Sequence, residues 1–147
     1  MSQGGMAKVS KALVWIMLLA VCLRTGAALY LGDRLGGPSQ ERIFDQVSYQ
    51  ALAESILGGR GYSFEKNWYP FIPAGEPTAH WSFVYPLFLA GVYSLFGIHP
   101  LAARLVQAMI SGLLSVWLVY RLGRRLFGET AGLLAALLMA VYAYFVY

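Results

Sequence analysis

The residues with the clearest potential for chemistry are an aspartate and a tyrosine four positions apart, Asp45 and Tyr49. Apolar residues recur around them at positions 44, 47, 51, 52 and 56. This spacing predicts a short amphipathic helix in the membrane interface, over about residues 40–57. Side chains four apart share one helix face. The pattern therefore presents a carboxylate and a phenol together, either as a site or as a helix surface with an acid near its positive end.

Cationic side chains that could bind an anionic group occur in two places. Arg60 and Lys66 follow the predicted interfacial helix, whereas Arg124 and Arg125 follow the third apolar block of the chain. For the second pair, phosphate binding competes with a simpler explanation, in which arginines at a helix end reach the lipid headgroups. His80 precedes the second apolar block, where it faces either a cavity of the loop or the headgroups.

The motifs of soluble enzymes and of nucleic-acid binding are missing from the sequence. The Gly58–Gly61 run lacks the lysine of a phosphate-binding loop, the two histidines do not have metal spacing, and no serine lies in an elbow motif. Cys22 is the single cysteine, so no intrachain disulfide is possible. The net charge of +4 comes from scattered helix-end residues. Anionic membrane lipids explain that charge better than nucleic acid does.

The elements that must position these residues are apolar blocks of membrane-helix length. Hydrophobic residues make up 59% of the 147 residues and charged residues only 12%, against roughly 25% charged in a soluble domain. A bilayer core of about 30 Å needs about 20 apolar residues, so we predict an all-α membrane protein with about four transmembrane helices. The predicted order is a cytoplasmic tail 1–11, a transmembrane helix 12–31, an extracytoplasmic loop 32–83, transmembrane helices 84–98 and 101–120, a short link 121–129 and a truncated fourth transmembrane helix 130–147.

The distribution of charge predicts the orientation of these helices. Lys8 and Lys11 precede the first block, which places the amino terminus in the cytoplasm by the positive-inside rule. The loop 32–83, with six acidic and four basic residues, then lies outside. Strict alternation also puts the arginines of the 121–129 link outside, against the rule. Either these arginines serve a purpose there, such as binding a phosphate, or the short block 84–98 is re-entrant and does not cross.

The end of the loop is rich in proline and aromatic residues, which predicts irregular structure. Its aromatic residues are Tyr62, Phe64, Trp68, Tyr69, Phe71, Trp81 and Phe83. Aromatic side chains form anchoring belts at bilayer surfaces, and sugar-binding surfaces use them as well. The sequence leaves both interpretations open.

The order of these features resembles the start of the GT-C glycosyltransferases, in particular family 39, which includes the protein O-mannosyltransferases and the aminoarabinose transferases of lipid A. The resemblance extends from about residue 12 to the end of the chain. It rests on Asp45-x-x-x-Tyr49-x-x-Leu52-Ala53, on His80-Trp81-Ser82-Phe83-Val84-Tyr85-Pro86, on Ala103-Arg104-Leu105 and on Arg124-Arg125-Leu126-Phe127-Gly128.

The resemblance implies transfer of a sugar from a polyprenyl-phosphate donor to a lipid, glycan or protein acceptor, on the outer side of the inner or plasma membrane and with inversion at the anomeric carbon. It implies that Asp45 is the catalytic residue, and it leaves a divalent metal cofactor open. The candidate substrate-binding residues are Tyr49, Arg60, Lys66, His80, Arg124 and Arg125.

Because members of this family carry many more membrane helices, we expect the 147 residues to be a fragment without independent activity. The alternative is a small non-catalytic membrane scaffold or assembly subunit. The small residues in 112–115 and 131–136 allow close helix packing in either case. The outer loop discriminates between the two, since only a catalytic loop needs Asp45 turned toward a cavity.

Overall fold

The computed structural model describes residues 11–35, 45–68 and 71–142. Within these residues the regular elements are five helices, α1 (Lys11–Leu31), α2 (Asp45–Leu57), α3 (Val84–Phe96), α4 (Pro100–Phe127) and α5 (Glu129–Val141). Two isolated β-bridges occur in the segment between α2 and α3. The predicted all-α class is therefore confirmed. The chain forms two compact units, which we call the helical unit (Met1–Leu31 with Arg104–Tyr147) and the loop unit (Gly32–Ala103).

Two of the helices are long and apolar enough to cross a bilayer. These are α1 with 21 residues and α4 with 28, and in each only 22% of the most apolar stretch is buried by the rest of the protein. Helices α3 and α5 have 13 residues each. At 1.5 Å per residue they are about 20 Å long, shorter than a hydrocarbon core of about 30 Å. The prediction of four transmembrane helices is therefore not confirmed.

Helix boundaries differ most from the predicted ones after residue 120. Helix α4 continues to Phe127, so Gly128 alone separates it from α5 where a link over 121–129 was predicted. Arg124 and Arg125 stand in the last turn of α4, where positive charge is favourable beside unpaired carbonyls. Gly128 then ends the helix with a φ of 92°, a conformation that glycine adopts easily. Residues 143–147 of the predicted fourth helix and residues 40–44 of the predicted interfacial helix lie outside the described residues.

The contacts in the core of the helical unit define the relative directions of α1, α4 and α5. Its buried members are Leu13, Ala20, Val116, Tyr120, Ala136 and Ala140. Leu13 thus shares a cluster with Tyr120, near the α4–α5 turn, whereas Arg24 contacts Ala140 near the other end of α5. Helix α1 therefore runs antiparallel to α4, and its Lys11 end lies at the same end of the unit as the turn between α4 and α5.

Close packing of α4 against α5 depends on glycine. A Cβ atom on Gly132 would lie 2.8 Å from the backbone nitrogen of Arg124 and 2.9 Å from the carbonyl oxygen of Tyr120. These are backbone atoms, which cannot move aside without shifting the helix. The small-residue pattern predicted from the sequence thus serves the hairpin formed by these two helices.

Arg24 is a buried charged residue within α1, only 3% exposed. Its guanidinium donates hydrogen bonds to the carbonyls of Ala20 at 3.3 Å, Ala140 at 3.4 Å and Met139 at 3.2 Å. Met139 and Ala140 belong to the last turn of α5, where carbonyls have no donor within their own helix. Arg24 therefore caps α5 and joins it to α1.

The loop unit combines α2 and α3 with a hairpin-like segment between them. Phe64 forms its centre at 1% exposure. The Phe64 ring stacks on Trp68 with ring centroids 4.7 Å apart and meets Trp81 edge-on at 5.1 Å. Backbone bonds from Thr78 to Tyr62 and from Gly75 to Phe64 close the hairpin. Phe64, Trp68 and Trp81 are thus core residues of the loop unit.

Candidate functional site

Asp45 and Tyr49 lie in the first two turns of α2, as their spacing predicted. Asp45 is exposed, and the one ion pair within the described residues is elsewhere in the chain. The half-buried Tyr49 ring meets Tyr85 of α3 edge-on, with ring centroids 5.2 Å apart. The carboxylate is therefore exposed at the start of α2, and the phenol one turn later packs against α3.

The buried face of α2 differs from the predicted apolar face. Its buried residues are Ser48, Leu52, Ala53 and Ser55. Ser48 is buried because its Oγ accepts a hydrogen bond of 2.9 Å from the indole nitrogen of Trp68. A tertiary contact with the hairpin therefore sets the orientation of the helix. The spacing of apolar residues in the sequence did not predict that Ser48 and Ser55 lie on the buried face of α2.

A second phenol lies near Tyr49. The hydroxyl of Tyr62 shares its proton between the carbonyls of Trp81, at 3.1 Å, and Ser82, at 2.9 Å. Burial raises the pKa of Tyr62 above its usual value, and a negative charge on Tyr49 would raise it further. Tyr62 therefore stays protonated as a donor and holds the start of α3 beside α2. Sequence reasoning placed Tyr62 among the aromatics and gave it no specific role.

His80 lies in a different part of the loop unit. Its imidazole meets the Trp81 ring at 4.6 Å between centroids. It lines an open cleft of about 420 Å³ formed by Phe71, Ile72, Pro73, Glu76, Pro77, Thr78, Ala79 and His80. Neither Asp45 nor Tyr49 lines this cleft. His80 thus lines this cleft without the Asp45–Tyr49 pair.

The two candidate cations of the loop unit are placed differently. The Arg60 guanidinium folds over Gly58, where an added Cβ would lie 2.7 Å from its nitrogen. This position follows the end of α2 at Leu57, and twelve helical steps of 1.5 Å put that end about 18 Å from Asp45. The exposed Lys66 instead lies two residues before Trp68, whose indole contacts Ser48 in the first turn of α2. Lys66 is thus the cation whose segment approaches the Asp45 end of the helix.

Arg124 forms an ion pair with Glu129 in the helical unit. Its Nε lies 2.8 Å from Glu129 Oε2, and the other oxygen of Glu129 accepts a hydrogen bond of 2.8 Å from Tyr120. Arg124 also donates to the Tyr120 hydroxyl at 3.1 Å. These contacts stabilise the turn between α4 and α5. The neighbouring Arg125 is exposed.

Metal coordination near Asp45 would need several His, Cys, Asp or Glu side chains close together. Within the described part of the chain, no three His, Cys, Asp or Glu side chains come together in a group that could hold a metal ion. The position after Asp45 is Gln46, an amide. Among the described residues, Asp45 is therefore the one carboxylate in the first turn of α2.

Helices α1 and α4 have the length and apolar composition of membrane-spanning helices, which is the class of protein that the fold itself indicates.

Comparison with known proteins narrows this class. Residues 80–147 match the family described as dolichyl-phosphate-mannose-protein mannosyltransferase. The match confirms the resemblance to GT-C mannosyltransferases over slightly less than half of the chain, and with the two apolar helices it indicates a membrane protein. Asp45 and the rest of α2 precede the matched residues. No curated protein and no solved structure matches the chain.

Proposed function

We propose that the chain is the amino-terminal part of a membrane glycosyltransferase that moves a sugar from a polyprenyl-phosphate donor to an acceptor on the outer side of the membrane. The observation that carries this proposal is the family match over residues 80–147. The exposed Asp45 on an ordered helix supports it. As in the family it resembles, further membrane helices would complete the donor pocket.

In this proposal Asp45 acts as the general base. Its carboxylate takes the proton of the acceptor hydroxyl while the hydroxyl oxygen attacks the anomeric carbon. The bond from that carbon to the phosphate oxygen breaks, and polyprenyl phosphate leaves with the electron pair. The departing phosphate gains negative charge, so a fixed cation beside it lowers the barrier. Lys66 is the cation of the loop unit that fits this role best, and Tyr49 forms a wall of the pocket.

The directions of the helices support a topology that the charge pattern left open. Lys11, Arg124 and Arg125 lie at one end of the helical unit, so the positive-inside rule is satisfied if that end is cytoplasmic. Helices α1 and α4 then each cross the membrane, and the segment between them stays outside, including the short helix α3. In this proposal Arg124 and Arg125 have no role in catalysis.

A paired substitution tests which cation binds the donor. We expect Lys66→Gln to weaken binding of a short-chain polyprenyl-phosphate mannose roughly tenfold, the loss expected for one charge-assisted phosphate contact. Arg60→Gln removes the same charge from the far end of α2 and is expected to change the affinity less than twofold. The measurement is equilibrium binding of radiolabelled donor to the detergent-solubilised chain. An equal loss in both variants, or a larger loss in Arg60→Gln, would contradict the assignment.

A membrane scaffold is the second candidate function. The tight contact at Gly132 would hold the α4–α5 hairpin together in a scaffold as well as in an enzyme. A scaffold needs no donor site, so the absence of saturable donor binding by the wild-type chain would favour it.

A further inference from the structure

Three side chains at the end of α4 follow each other at four-residue steps. They are Trp117, Arg121 and Arg125, and all three are exposed. The guanidinium carbon of Arg121 lies 5.3 Å from the centre of the Trp117 ring, within cation–π range. Residues four apart are neighbours on a helix surface. They therefore form a stripe, which we call the Trp-Arg-Arg stripe.

The two arginines of the stripe differ from Arg124 in how their charge is balanced. Arg124 is paired with Glu129, and this is the one ion pair within the described residues. Arg121 has the Trp117 ring beside it, and neither it nor Arg125 is ion-paired to a carboxylate in that part of the chain. Like charges one helical turn apart repel each other. An anion that contacted both guanidinium groups would remove this repulsion.

The surroundings of the stripe are those of a surface that faces lipid. Leu113 lies one turn before Trp117 and is 41% exposed, and the adjacent face carries the exposed residues Leu114, Leu118, Leu122 and Leu126. Tryptophan is enriched where the acyl chains meet the headgroups. Along the helix the stripe thus passes from leucine to tryptophan to two arginines. A phospholipid shows the matching order from acyl chain through glycerol to phosphate.

We propose that the Trp-Arg-Arg stripe binds the headgroup of an anionic phospholipid. The planar guanidinium groups suit a phosphate, which accepts two parallel hydrogen bonds from each fork. Trp117 packs against the glycerol region, and the leucines contact the acyl chains. The site is independent of sugar transfer. It lies on the lipid-facing surface of α4 in the helical unit.

Native mass spectrometry of the detergent-solubilised chain with equal amounts of phosphatidylglycerol and phosphatidylcholine tests the proposal. The wild type is expected to retain phosphatidylglycerol at least fivefold more than phosphatidylcholine. The double variant Arg121→Gln/Arg125→Gln is expected to lose this preference. The double variant Arg34→Gln/Arg60→Gln lowers the net charge equally at exposed residues of the loop unit and is expected to keep it. Circular dichroism of both variants checks that the helices are intact.

Three results would overturn the proposal. The first is an unchanged preference in the arginine double variant. The second is an equal loss in both double variants, which would show that net charge alone attracts the lipid. The third is displacement of the bound lipid by millimolar glycerol 3-phosphate, which would show that the stripe binds a free phosphate ester without needing acyl chains.

Discussion

Replacing Asp45 with asparagine in the full-length transferase to which the chain is proposed to belong is expected to lower sugar transfer by a factor of roughly 10² to 10⁴, the usual contribution of a positioned general base. Asparagine has nearly the size of aspartate but does not accept a proton from the acceptor hydroxyl. Donor binding should persist in this variant, since the donor phosphate is negative and gains nothing from a nearby carboxylate. Loss of transfer with retained donor affinity is therefore the signature of the proposed role.

The same helix supplies a matched control for Asp45. Glu54 is also an acid of α2, and its carboxylate accepts a hydrogen bond of 2.8 Å from Gln50. Glu54→Gln changes the charge of α2 by the same amount without touching the first turn. Membranes that contain the full-length transferase with each substitution are assayed for transfer from radiolabelled polyprenyl-phosphate mannose. Transfer by Asp45→Asn at the wild-type rate would remove Asp45 from catalysis, and an equal loss in Glu54→Gln would point to helix charge in general.

Replacing Phe64 with alanine should have the largest effect on stability. Phe64 is 1% exposed and contacts the rings of both Trp68 and Trp81. Truncating a buried phenylalanine costs about 3–5 kcal/mol, because apolar contacts are lost and a cavity remains. The loop unit should therefore unfold at lower temperature or denaturant concentration, and donor binding should be lost with it.

The phenylalanine that provides the control is Phe71, which is 95% exposed. Phe71→Ala removes the same atoms and is expected to leave the stability of the loop unit unchanged. In a background that carries Trp15→Phe and Trp117→Phe, the intrinsic fluorescence of Trp68 and Trp81, followed through a urea titration in detergent, reports the unfolding of this unit. Equal midpoints for Phe64→Ala and Phe71→Ala would contradict the assignment of Phe64 as the centre of the loop unit.

The sequence predicted best the elements that local signals define. The first apolar block was predicted over 12–31, and α1 covers Lys11–Leu31, because a continuous apolar run leaves little choice of boundary. The end of α2 at Leu57 follows from the glycines at 58 and 59. Asp45 and Tyr49 share a helix as predicted, since their spacing depends only on helical geometry.

Features that depend on contacts between distant residues were not predictable in this way. Clustered arginines after residue 120 suggested a link, whereas the Arg124–Glu129 pair shows that one of them stabilises a tight helical hairpin. The burial of Ser48 depends on Trp68, twenty residues away. The sequence offered Arg60 and Lys66 as candidate cations of the loop without choosing between them, and the folded hairpin distinguishes them.

The most direct test of the central claim is photolabelling of the wild-type chain in lipid vesicles with a diazirine-bearing polyprenyl-phosphate mannose, followed by peptide mapping. The proposed donor site predicts saturable labelling of peptides within residues 45–68, suppressed by excess unlabelled donor. Saturable labelling confined to the cytoplasmic end of the helical unit, or labelling that unlabelled donor does not reduce, would contradict the proposal that the loop unit binds the donor.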